Sequence, residues 1–227
     1  MKKEIFLIVF FIISGLNLFL ISMSYDTFSL YLKPFLMSTL FLYVYINDSF
    51  PNKKLLLIAL SFSWIGDILL IFTNNNQWFF ITGLLAFLTA HIFYIVLFSK
   101  LGTSKPYKNN SIFWIGIIVT IFYLKSILQL LLPSLGPLKI PVTFYAFTIS
   151  AMLGYAWRGY ISWNSNARFY ILFGAIAFIA SDSFLAINKF HEPINKASLL
   201  IMTTYLIAQF CIVYGIINLN RQQNLGI

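Results

Sequence analysis

Two carboxylates stand where a carboxylate is hardest to keep. Asp67 falls in Ser61-Phe62-Ser63-Trp64-Ile65-Gly66-Asp67-Ile68-Leu69-Leu70, and Asp182 in Phe178-Ile179-Ala180-Ser181-Asp182-Ser183-Phe184-Leu185. An acid inside such an apolar run is expensive, and it marks a proton- or substrate-handling site by default. Other polar groups are spaced to join the pair. Lys33 comes just before Pro34, and Tyr145 lies early in a further apolar run. His91 and Tyr94 share a helical face at i,i+3, which Phe87 and Gly83 continue at i−4 and i−8. Tyr205 and Gln209 form an i,i+4 pair, and Ser14 and Asn17 lie three apart. Groups spread over so many runs suit a central site better than a staple between two helices.

Each group also has a plainer reading. Asp67 and Lys33 can be an ion pair that only locks helices together, and Asp182 an acceptor for Ser and Tyr hydroxyls. His91 reads equally as a hydrogen-bonded packing residue, and Tyr205 and Gln209 as support. Asn17 is expected to be interhelical glue, and Lys125 to snorkel to an interface. Arg158 and Arg168 are explained by topology, although either is suited to a lipid phosphate.

The elements that position these residues follow from composition. Of 227 residues, 60% are hydrophobic, 19% aromatic and only 9% charged, against ~25% charged for a soluble domain. That excludes a soluble enzyme, a separate extramembrane domain and a disordered chain. A spanning helix needs ~20 apolar residues, and polar punctuation divides the chain into eight such runs. They cover about 4–23, 28–46, 54–73, 78–99, 111–132, 139–157, 168–188 and 197–218. The separators are 24–26, 47–53, 74–76, 100–110, 133–137, 158–167 and 189–196, short enough to make consecutive helices antiparallel neighbours. The expected fold is an all-α membrane protein, a bundle of eight transmembrane helices in a single domain over residues 1–227. The first run resembles a signal peptide but lacks a small-x-small cleavage site, so it reads as an uncleaved helix.

Charge sets the expected orientation. The chain has 15 Lys+Arg and 6 Asp+Glu, formally +9. Lys2, Lys3, Lys53, Lys54, Lys100, Lys105, Lys108, Arg158, Arg168 and Arg221 fall on the side of the N-terminus, against Lys139, Lys189 and Lys196 on the other. This imbalance places both termini in the cytoplasm. Both acid-bearing spans then run outward, with each acid about 14 residues after the start, or ~20 Å up the helix. At that shared level they are placed to face a common cavity in the outer half. No basic cluster interleaved with stacking aromatics is present, so nucleic acid is not an expected partner. The single Cys211 excludes an intramolecular disulfide and a cysteine metal cluster. With only His91 and His191, a three-His zinc site is impossible, and no metal or other cofactor is expected.

Small residues beside the acids, in Gly66-Asp67-x-x-Leu70 and Ser181-Asp182-x-x-Leu185, permit close backbone approach. The two segments look alike four spans apart, a hint of four-plus-four duplication too short to establish one.

At this point the motifs coincide with those of a known family. The chain resembles the YhhN family of eight-span membrane proteins, whose animal members include lysoplasmalogenases. The resemblance rests on Lys33-Pro34, Ser63-x-x-Gly66-Asp67-x-x-Leu70, Gly83-x-x-x-Phe87-x-x-x-His91-x-x-Tyr94 and Tyr145. It continues in Gly174-Ala175-x-x-Phe178-x-x-Ser181-Asp182-x-x-Leu185-Ala186-x-Asn188-x-Phe190 and ends with Tyr205-x-x-Ala208-Gln209. It covers nearly the whole chain in order, with span five contributing almost nothing.

The resemblance implies hydrolysis of the vinyl ether bond of a lysoplasmalogen to a fatty aldehyde and a glycerophospho-ethanolamine or -choline. The lysophospholipid and the surrounding membrane lipids would be the partners. Such chemistry needs a protonated acid for the alkene carbon and a carboxylate to stabilise positive charge and activate water. Two carboxyls in different environments can divide those roles. Asp182 is expected to be the general acid and Asp67, nearer Lys33, the ionised base, with the reverse assignment also open. His91, Tyr94, Tyr145, Ser181, Tyr205 and Gln209, with Lys33, make up the expected substrate-binding set. The competing class is a transporter or lipid-binding protein that uses the same acids as proton or substrate sites.

Overall fold

The computed structural model describes residues 2–73, 75–101, 110–163 and 165–224. All regular structure among them is helical. The elements are α1 (Lys2–Ser22), α2 (Asp26–Ile46), α3 (Lys53–Ile71), α4 (Gln77–Lys100), α5 (Asn110–Leu131), α6 (Lys139–Ser162), α7 (Ala167–Phe190) and α8 (Ala197–Asn224). Among the described residues, these 8 helices are long and apolar enough to cross a membrane. They match the eight expected spans, because in hydrocarbon a helix is the open-chain conformation that pairs every backbone group internally. Asn74 of the third separator, and Lys105 and Lys108 of the basic-residue count, lie outside the described residues.

The breaks between helices have local causes. Ser24, Asn52 and Lys196 adopt positive φ of 63°, 64° and 55°, and Gly136 one of 49°: Ser24 turns the chain just after α1, Asn52 and Lys196 just before α3 and α8, and Gly136 within the α5–α6 connection. Between α5 and α6 two 3-10 turns, Leu132–Ser134 and Gly136–Leu138, carry Pro133 and Pro137.

One boundary differs usefully from expectation. Residues 158–162, expected in a loop, continue α6 to Ser162. The Trp163 ring folds back over Gly159, where a Cβ would sit only 2.2 Å from it, and meets Phe98 edge-on at 6.4 Å. Burying that indole holds the last turn in helical form, so Arg158 is a helical residue. Likewise α8 runs past residue 218 and includes Arg221.

The chain divides into two compact units, Met1–Tyr94 and Ile95–Ile227. In the first, Asn17 donates from Nδ2 to the Ser29 carbonyl at 2.9 Å, joining α1 to α2 as glue. Lys53 donates to the Tyr45 and Asn47 carbonyls at 2.8 and 2.6 Å, satisfying acceptors at the C-terminal end of α2. Lys3 pairs with Asp48 at 2.9 Å beside that end. The α3–α4 contact is close, because Gly66 lies under the Phe87 ring and Gly83 under Leu70.

In the second unit the most extensive pair is α7 with α8. A Cβ on Gly174 would lie 2.9 Å from both the Ala208 carbonyl oxygen and the Ile212 amide, so the two backbones touch there. Gly215 does the same against Ile171 and the Ala167 carbonyl, about one and a half helical turns away. Without a hydrophobic drive between helices in lipid, such small-residue contacts carry the packing. The α5–α6 pair instead meets through a side chain: Trp157 fills the space over Gly116 and donates from Nε1 to the Ile112 carbonyl at 3.2 Å. Facing outward are Phe11, Ile12, Phe35, Ile118 and Phe122, the apolar surface a bilayer requires.

These glycine contacts make a direct test. Gly174→Ala is expected to lower stability by about 1–3 kcal/mol, because backbone atoms cannot yield as a side-chain tip can. Gly15→Ala, with open space around the new Cβ, is expected to be neutral or slightly stabilising. Thermal unfolding of both variants in the same detergent checks the difference.

Candidate functional site

In the first unit, polar residues gather where α3 and α4 pack. Asp67 lies 14 residues into α3 and is 7% exposed. Gly66, the preceding residue, is covered by the Phe87 ring, so the missing side chain at position 66 lets α4 pack closely against α3. The expected α4 face is real: Gly83, Phe87, His91 and Tyr94 are all buried, His91 and Tyr94 completely. His91 reaches back toward the Phe87 carbonyl one turn earlier, and the Tyr94 hydroxyl lies against Ser63 of α3. Lys33, partly buried on α2, interacts electrostatically with Asp67 and with Asp26. Pro34 follows Lys33 inside α2 and removes one backbone donor there. The structure therefore brings Lys33, Ser63, Asp67, His91 and Tyr94 together on three helices, α2, α3 and α4.

In the second unit the centre is Asp182, 15 residues into α7 and partly buried. Tyr145 of α6 donates its hydroxyl to Asp182 Oδ2 at 2.5 Å. On one side of the acid, Ser183 donates to the Ile179 carbonyl at 2.7 Å and pairs with the Tyr123 hydroxyl at 2.8 Å. On the other, Ser181 donates across to the Ile201 carbonyl of α8 at 3.0 Å. One turn back, Phe178 meets Tyr205 edge-on at 5.6 Å, and Gln209 donates from Nε2 to the Tyr205 hydroxyl at 3.4 Å. The expected Tyr205–Gln209 pair is thus a buried, bonded pair, and Phe178 links it to the helix that carries the acid.

Tyr123 is the group that sequence reasoning missed. Span five offered no family motif, and a tyrosine midway along an apolar helix reads as aromatic filler. Its one signal was a hydroxyl far from either helix end, which hydrocarbon obliges to find a partner. Ser183 was visible in the Asp182 motif but gave no sign that its bond would run to α5.

Both acid motifs use the preceding small residue in the same way. Gly66 makes room for α4, the next helix in the chain, and Ser181 bonds to α8, the next helix after α7. The role of small residues at the acids is therefore to hold each acid-bearing helix against its successor.

Comparison with known proteins gives a consistent picture. Human lysoplasmalogenase TMEM86B is 35% identical over 172 residues, covering 76% of this chain and 67% of its own length. Lysoplasmalogenase TMEM86B of the pig, Sus scrofa, is 32% identical over 155 residues, covering 68% of this chain and 59% of its own length. Human lysoplasmalogenase TMEM86A is 28% identical over 174 residues, covering 71% and 65% respectively. The matched region thus spans roughly two thirds or less of these curated relatives. No solved structure matches the chain. Residues 28–216 match the YhhN family, and that stretch holds both acids and every residue of the two clusters; the chain belongs to the YhhN family.

Proposed function

We propose that this integral, multi-pass membrane protein is a hydrolase of the lysoplasmalogenase type. It cleaves the vinyl ether bond of a lysophospholipid to a fatty aldehyde and a glycerophospho-ethanolamine or -choline. The names of its relatives support the substrate class. The observation that carries the chemistry is the Asp182 carboxyl, fixed by Tyr145 inside an apolar span.

In this reading Asp182 is the general acid. A proton leaves its carboxyl for the alkene carbon distal to the ether oxygen, and the π electrons of the alkene form the new C–H bond. The ether oxygen shares the resulting positive charge as an oxocarbenium ion. Negative charge appears on Asp182 in the same step, and the Tyr145 hydroxyl already points at it. A donor aimed at charge that develops in the transition state stabilises that state more than the ground state. Tyr123 and Ser183 hold the neighbouring turn of α7 and are positioning residues.

Asp67, with the Lys33 ammonium in its field, is the ionised partner. It takes a proton from water as the oxygen adds to the oxocarbenium carbon. The hemiacetal then collapses: Asp182 takes the hydroxyl proton, the C–O bond to glycerol breaks with its electron pair going to oxygen, and Asp67 gives that oxygen its proton, which restores both acids. One water is consumed and no redox change occurs. His91, Tyr94, Ser181, Tyr205 and Gln209 complete the proposed substrate-binding set with Lys33 and Tyr145.

Fatty aldehyde release from lysoplasmalogen in detergent micelles tests the reading, with Asp182→Asn and Asp67→Asn as variants. Each is expected to lose about 10²–10⁴-fold in kcat while still inserting and purifying. Near-normal turnover by purified Asp182→Asn would remove the acid from its role, whereas flux across vesicles without cleavage would make the protein a carrier. Tyr145→Phe separates support from bulk packing. It keeps the ring and loses one charge-assisted bond, so kcat is expected to fall about 10–100-fold with KM little changed.

A further inference from the structure

Away from Asp182, α5 and α6 do not close on each other. A groove of about 430 Å³ lies between them, with Phe113 and Leu124 of α5 and Phe147, Ser150, Gly154 and Arg158 of α6 in its walls. Phe147 is 54% exposed, so the groove opens onto the apolar outer surface. On α6 its floor is made of small side chains one turn apart, and the Trp157–Gly116 contact sets the spacing of the two helices.

Its dimensions suit one lipid chain. From residue 113 to 124, or from 147 to 158, is eleven residues, about 16 Å by helical rise. One leaflet's share of a ~30 Å hydrocarbon core is about 15 Å. The mouth lies near the start of α5 and the end of α6, at headgroup depth. There Arg158 lines the groove, and Trp157 stacks on Tyr160 with ring centroids 5.5 Å apart, as interfacial aromatics do. Farther down, the Ser150 hydroxyl is buried and has no hydrogen-bond partner.

Charge selects the headgroup. The only acids in residues 95–227 are Asp182 and Glu192, the first 15 residues into α7 and the second beyond its end. Residues 110–181 contain no carboxylate. Arg158 is the charged side chain in the groove's lining, and its guanidinium suits an anionic phosphodiester.

We propose that the α5–α6 groove binds a membrane phospholipid with an anionic headgroup, its phosphate on Arg158 and one acyl chain along the groove. The site is distinct from that of hydrolysis. Tyr145, which bonds Asp182, precedes Arg158 by thirteen residues on the same helix, about 20 Å away. A vinyl ether lies only a few bonds from its phosphate, so a lipid anchored on Arg158 cannot present that bond to Asp182. The binding itself stands independently of the proposed hydrolysis; only the distinction between the sites rests on it.

The test titrates the delipidated full chain in detergent with phosphatidylglycerol or phosphatidylcholine and follows bound lipid by native mass spectrometry. The wild type is expected to retain phosphatidylglycerol in preference to phosphatidylcholine. Arg158→Gln is expected to weaken phosphatidylglycerol binding about tenfold and to abolish the preference. Gly154→Phe fills the groove from a position with open space around its Cβ, so the fold survives and retention of the lipid is lost. Lys125→Gln, an exposed cation outside the groove, is expected to bind like the wild type. Equal retention of the two lipids, or an unchanged Gly154→Phe, overturns the site. Loss in Gly154→Phe with Arg158→Gln unaffected overturns the headgroup assignment, and equal loss in Lys125→Gln reduces the effect to nonspecific charge. Displacement of phosphatidylglycerol by added lysoplasmalogen would make the groove part of the substrate path and overturn its independence.

Discussion

Within hydrocarbon, a polar group has no water to fall back on, and each one present must be met by the protein itself. Much of this chain is arranged around that constraint. The Tyr145 hydroxyl meets Asp182, Ser183 meets Tyr123, Ser181 meets the Ile201 carbonyl, and Gln209 meets Tyr205. These bonds run between helices or along one face, so the groups that suit the site for chemistry also fix how α5, α6, α7 and α8 stand within their unit. A soluble protein can leave such hydroxyls to solvent. Here the same pairs pack the helices and, in the proposed reading, also serve the reaction.

Glycine does the complementary work. Where polar bonds tie helices together at one level, Gly174 and Gly215 let α7 and α8 approach to backbone contact at two others. Gly66 plays a different part, since the space over it is taken by an aromatic ring rather than by a backbone. The wall over Gly66 is therefore apolar, while Lys33 acts electrostatically on Asp67 from α2. Asp182 is held instead by a phenol and flanked by serines. The two acids are chemically unlike, as a division of roles requires.

The eight helices were legible in composition alone, because a run of about twenty apolar residues in a chain with so few charges has one stable conformation in lipid. The buried α4 face was legible from the spacing of Gly83, Phe87, His91 and Tyr94, since helical periodicity survives any tertiary arrangement. Partners across helices were not. Nothing in the spacing of α5 says that Tyr123 reaches Ser183, because that depends on the rotation of one helix against another. The extension of α6 past Arg158 was hidden for a related reason: it depends on the Trp163 indole packing back onto Gly159 and against Phe98. Local sequence there shows only an arginine, a glycine and aromatics, which elsewhere close a span.

Backbone contact at Gly174 and Gly215 has a mechanical consequence. A helix pair touching through main-chain atoms at two points about one and a half turns apart resists both sliding and rotation, and it shifts as one body. The α5–α6 contact instead includes an indole resting over a glycine, and a side chain can yield where main-chain atoms cannot. Compliance in this unit is therefore concentrated on the α5 edge, leaving the α7–α8 hairpin as the fixed frame against which Asp182 keeps its aim.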